Sequence, residues 1–179
     1  MVTVFIVLAL AFAAAVLLYP RRASAHCDTM DGPVVQAGQS ALRTGNVNYA
    51  LPWVPADAEA GVRKAFAELA EPEFLAELVR IHRAGEGAGF DGLKPSGTPI
   101  DEKVVAADRC IEVGSLEPLT GLVPAEQLPE LQHRLDEALA ARRYDVDDVQ
   151  AARAYIAAYV RFFKFVEGHD VDDHHLAHH

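Results

Sequence analysis

The sequence predicts an all-α protein. Apolar residues recur at helical spacing almost everywhere past residue 32, no segment sustains the alternation of a strand, and Gly and Pro fall where the periodic runs stop. Taken in order, Val34, Val35, Gly38, Ala41 and Leu42 define a first helix that Gly45 ends. Val62, Phe66 and Leu69 define a second. Phe74, Leu75, Leu78, Val79 and His82 define a third, set off by Pro72 and stopped by Gly85, Gly87 and Gly89. A Gly/Pro-rich connection from Gly85 to Pro99 leads to another set. Val104, Ala107 and Ile111 open it, Leu128, Leu131, Leu135 and Leu139 follow, and Val149, Ala152, Ile156, Tyr159, Val160 and Phe163 form the last and most regular helix.

The two sets look like copies of one unit. Shifted by 69 residues, Val35, Ala37, Gly45, Val54, Pro55, Ala56 and Glu68 fall on Val104, Ala106, Gly114, Val123, Pro124, Ala125 and Glu137. After a short insertion, Val79-Arg80 and Glu86-Gly87 fall on Val160-Arg161 and Glu167-Gly168. The expected architecture is a helical bundle of two related three-helix units, residues 33–90 and 101–168, with pseudo-twofold symmetry and apolar stripes buried against each other.

Ahead of the bundle, Val2 to Tyr19 form a nearly unbroken apolar run, followed by Pro20, Arg21, Arg22 and the small-x-small motif Ala23-Ser24-Ala25. This reads as a signal peptide over residues 1–25, cut after Ala25, and hence as an exported protein. The arginines follow the apolar run rather than precede it, an arrangement that also fits a membrane anchor through residues 2–19 with Arg21 and Arg22 in the cytosol. Removing the leader discards two arginines and no acids, taking the net charge from −10 to −12. So acidic a domain, without a Lys/Arg cluster, argues against nucleic acid as a partner. Two cysteines make no disulfide framework, although Cys27 and Cys110 of an exported protein can pair.

Cleavage after Ala25 would make His26 and Cys27 the first two residues. The free amine, an imidazole, a backbone amide nitrogen and a thiolate would then lie within one dipeptide, a donor set suited to square-planar Ni(II) or Cu(II). Asp28, Asp31 and His82 are possible further ligands. Without metal, His26 and Cys27 belong to an ordinary terminus, with Asp31 capping a helix that starts at Pro33. His82 also reads as a structural residue hydrogen-bonded near a helix end. His133 faces solvent, Cys110 is a buried core thiol, and Trp53, Tyr49 and Phe74 are packing residues. Residues 169–179 form a second metal candidate, with His169, His174, His175, His178 and His179 beside three aspartates, or else a plain solvated tail. No Gly-x-Ser-x-Gly elbow, phosphate loop or His-Glu-x-x-His helix is present, and the Gly85–Gly89 run follows a helix where a dinucleotide fold needs a strand.

The segment from His26 to Pro33 resembles the start of mature nickel superoxide dismutases, His-Cys-Asp-x-Pro-Cys-Gly, through His26, Cys27, Asp28 and Gly32. The resemblance implies nickel held by the His26 amine and imidazole and by the Cys27 backbone nitrogen and thiolate. Asp31 stands at the position of that family's second cysteine, Met30 at its proline and Val34 at its tyrosine, and a carboxylate for a thiolate shifts the metal's potential. Over a wider span, the His26–Val35 start, Leu78–Gly87 and Gly92–Thr98 look like an uncharacterised family of exported bacterial helical proteins. The leading expectation is therefore an exported nickel- or copper-binding protein, redox-active on superoxide or a related small oxygen species. Its rivals are an envelope metal sequestration or delivery protein and a non-catalytic helical interaction scaffold.

Overall fold

A computed structural model describes residues 25–168. The leader, apart from Ala25, and the 169–179 tail lie outside the described residues. Among the described residues the protein is all-α: α1 (Ala25–Asp28), α2 (Pro33–Thr44), α3 (Glu59–Glu68), α4 (Glu71–Gly85), α5 (Glu102–Val113), α6 (Leu128–Ala141) and α7 (Val149–Val166). Short 3₁₀ turns lie between α2 and α3 and between α5 and α6.

The helices start and stop for local reasons. Proline stands in the first turn of α2, α4 and α6, where its missing N–H costs nothing. Asp101 and Asp148 cap α5 and α7 by accepting from Lys103 N and Ala151 N. Gly45 and Gly114 end α2 and α5 in left-handed backbone, φ 71° and 73°. Boundaries recur at a constant offset. The starts at Pro33, Ala56 and Glu59 reappear at Glu102, Ala125 and Leu128, 69 residues on.

Buried side chains fall into two clusters. Val34, Val35, Leu51, Val62, Phe74, Leu75 and Leu78 form one, and Val104, Cys110, Leu119, Leu131, Leu135, Phe162 and Val166 the other. The apolar stripes thus close mainly within each half rather than against each other, and Trp53 packs on both clusters. The halves are pinned together by Arg153 of α7, which is buried. Its guanidinium donates to the carbonyls of Leu51 and Val54 at 3.2 and 3.3 Å and pairs with Glu59 at 2.8 Å.

Two expected packing residues are turned outward. Leu69 is 40% exposed because the chain leaves α3 in extended backbone at that residue, φ −101° and ψ 148°, and so departs from the apolar stripe. Tyr49 is exposed on a 3₁₀ turn, a three-residue element too short to carry a buried stripe. His133 faces solvent and Cys110 is fully buried, both as expected.

Candidate functional site

The residues from His26 to Asp31 are built into the bundle. Lys94 of the Gly/Pro-rich connection donates its N–H to Asp28 O at 2.8 Å and accepts from Met30 N at 2.9 Å, an isolated parallel bridge between Thr29 and Lys94. Thr29 is fully buried, and its hydroxyl donates to His26 O at 3.1 Å. Behind this turn stands Gly32, where any Cβ would run into the His26 carbonyl oxygen. Gly32 also occupies the N-cap position of α2, displacing Asp31 from that role. Asp31 instead accepts from Gly97 N at 3.0 Å. That hydrogen bond holds its carboxyl below the usual carboxylate range.

This seating sends the two leading residues in different directions. The His26 ring is buried, stacks on Phe163 at 5.7 Å and 8°, and brings Nε2 to 2.6 Å from Asp108 Oδ2. Both ring nitrogens are buried, and neither makes a directed hydrogen bond. The other oxygen of Asp108 accepts a 2.6 Å hydrogen bond from the Tyr159 hydroxyl. His26, Trp53, Asp108, Tyr155 and Tyr159 line an open cavity of about 210 Å³. Burial, with the negative charge of Asp108 added, pushes the Tyr159 phenol well above its ordinary range.

Cys27 and Asp28 face the end of α4. Burial, reinforced by Glu86 and Asp28, pushes the Cys27 thiol far above its usual range, so the metal-free residue is a protonated thiol. Burial also raises the Asp28 carboxyl, outweighing Arg83, whose Nε lies 3.6 Å away. Arg83 in turn holds Glu86 at 2.6 Å. Cys27 and Cys110 are both free thiols.

His82 is buried on α4, with Nδ1 at 2.6 Å from the Trp53 carbonyl, the helix-end structural role expected of it, and Nε2 at 3.8 Å from Glu86. The five expected ligands therefore do not converge. Cys27, Asp28 and His82 lie around Glu86, His26 points to Asp108, and Asp31 turns to the 95–98 loop. Among the described residues, no group of three or more His, Cys, Asp or Glu is poised to hold a metal ion. The five tail histidines lie outside the described residues.

Sequence reasoning missed Asp108 and Tyr159 as a pair. The signal was present: Asp108 sits between Val104 and Ile111 at the i+4 position of an apolar stripe, where an acid needs a buried partner. A family model described as a family of unknown function (DUF6448) matches residues 31–165. The chain belongs to this family. No curated protein and no solved structure matches it. The DUF6448 match includes Trp53, His82, Asp108 and Tyr159, and begins five residues after His26.

Among the described residues no helix is long and apolar enough to cross a membrane.

Proposed function

We propose that the mature chain, cut after Ala25 and exported, binds nickel or copper through His26 and Cys27 and carries redox chemistry on superoxide or a related small oxygen species. The observation that carries this reading is the His26 ring, buried with Nε2 2.6 Å from Asp108 and with neither ring nitrogen in a directed hydrogen bond. A carboxylate on one imidazole nitrogen orients the other as a ligand, and Nδ1 is the nitrogen that closes a chelate with the residue's own amine. The Cys27 backbone nitrogen and thiolate would complete four donors once the thiol turns from the end of α4 toward Nδ1. Asp31 is engaged by Gly97 and His82 Nδ1 by the Trp53 carbonyl, and Asp28 and Glu86 are the acids nearest Cys27. When bound, the metal supplies a one-electron couple. The chain's own residues hold the imidazole, half-bury Cys27 and keep Asp108 beside the site. We also read the two halves as copies of one unit, on the constant 69-residue offset of their helix starts and the matched glycine caps.

Native mass spectrometry on protein exported from a host supplied with nickel, copper and zinc tests this reading. The expected species begins at His26 and retains one metal in a version ending at Gly168, and loses it in Cys27→Ser. A tail-less chain that carries no metal, or a leader still attached, overturns it. Because the thiol must lose its proton to bind, uptake should weaken as pH falls.

A further inference from the structure

We infer that the cavity between the two halves is a binding site for a small primary amine, taken as its ammonium ion. The inference does not use the metal reading.

The cavity lies on the seam of the two cores. Asp31 and Trp53 of the first half and Asp108, Glu112, Tyr155 and Tyr159 of the second line it together with His26. Small-molecule sites favour such places, where packed units meet over apolar walls that carry a few polar groups. At about 210 Å³ it has room for about seven waters at ~30 Å³ each, or for a polar head on a few carbon atoms.

The lining selects a cation. Asp31, Asp108 and Glu112 are acids, and no Lys or Arg among the described residues lines the cavity. Arg109 pairs with Glu112 at 2.5 Å from outside. With that charge counted, and with His26 protonated as well, three carboxylates against two cations leave the site negative. The apolar wall suits a cation too. Trp53 meets Tyr159 at 6.1 Å and 77°, and Tyr155 meets Tyr159 at 6.5 Å and 40°, so three aromatic rings stand together where positive charge is favoured.

The acceptors select an ammonium with hydrogens to give. A primary ammonium has three N–H donors and no acceptor. The buried His26 ring nitrogens make no directed hydrogen bond, which is costly unless a ligand supplies one. Asp108 keeps lone pairs beyond the 2.6 Å bond from the Tyr159 hydroxyl, and Asp31 keeps one oxygen beyond the bond from Gly97 N. Asp31 lies near enough to His26 to be stabilised by its charge, so these acceptors share one neighbourhood. Asp31 and Glu112 are exposed, Asp108 is half-buried and His26 is buried, a series of polar groups from the surface inward.

The test titrates the metal-free full-length chain with n-butylammonium chloride, n-butanol and sodium butyrate. Trp53 is the chain's one tryptophan and borders the cavity, so its fluorescence reports occupancy. Butylammonium should give a saturable change, butanol should bind about tenfold more weakly, and butyrate should give none. With 3-fluorotyrosine at position 155, the fluorine NMR signal should shift with the same midpoint. Asp31→Asn, which can still accept from Gly97, should weaken butylammonium about tenfold. Glu112→Gln should weaken it only a few-fold, its charge being shared with Arg109. No saturable change, equal affinity for butanol, a fluorine signal that stays in place, or a Kd unchanged in Asp31→Asn overturns the inference. In this chain His26 follows Ala25 and has no free amine, so the chelate of the mature terminus does not form. The outcome is therefore independent of the mass-spectrometric count.

Discussion

Gly32 is set by the backbone behind it: a methyl there meets the His26 carbonyl oxygen and comes within 2.9 Å of the Thr29 hydroxyl. Neither atom can yield without breaking the Thr29 to His26 hydrogen bond. Gly32→Ala should therefore lift the 26–31 segment off the bundle, at an overpacking cost of about 1–3 kcal/mol. The sensitive readout is Cys27, whose thiol is held protonated by burial. Alkylation of Cys27 should accelerate markedly while the fully buried Cys110 stays inert. Equal labelling of Cys27 in both proteins would mean that the segment does not depend on this contact. Residue identity alone carried part of this. The Asp-Gly-Pro run signals a helix start at Pro33, as found. It does not say that Gly32 rather than Asp31 takes the cap position, because that choice depends on Gly97, far along the chain.

At the scale of elements, the long helices were legible because one apolar face repeats every three or four residues; α4 buries every residue that the pattern nominates, and α2 and α7 bury all but Leu42, Val149 and Val160, which are half-buried. The 3₁₀ turns and α1 were not, since three or four residues complete no period. Nor was the Thr29–Lys94 bridge, a pairing of two loops with no alternation on either side. Arg153 was equally hidden. It lies on the most apolar helix, and nothing local shows that it reaches across to Leu51, Val54 and Glu59. Removing one partner of a buried ion pair costs about 3–5 kcal/mol. Arg153→Ala should thus lower the Tm by roughly 10 °C, at 2–4 °C per kcal/mol for a chain of this size. A melting curve unchanged within a few degrees would show that α7 is held to the first half by apolar packing alone.

For the molecule as a whole, the buried acids set an alkaline limit. Burial raises Cys27, Cys110, Tyr155 and Tyr159 above their ordinary values of 9.0 for cysteine and 10.0 for tyrosine. With the folded pKa raised, the unfolded chain ionises first. Stability is then complete below the ordinary value and declines as pH climbs past it. Each group that ionises only on unfolding steepens that decline by about 1.4 kcal/mol per pH unit. The metal-free, reduced protein should melt at a steady temperature up to about pH 9 and progressively lower beyond it, and Tyr159→Phe should flatten the slope above about pH 10. A Tm that holds constant to pH 11 would contradict this.

The seating of the amino-terminal segment also bears on the order of events during folding. Its partners, Lys94, Asp108 and Phe163, lie 65 or more residues downstream. Contacts that close such long loops form late, after helices have paired with their neighbours. The 26–31 stretch, made before all three of these partners, is thus expected to dock only after the helices have paired.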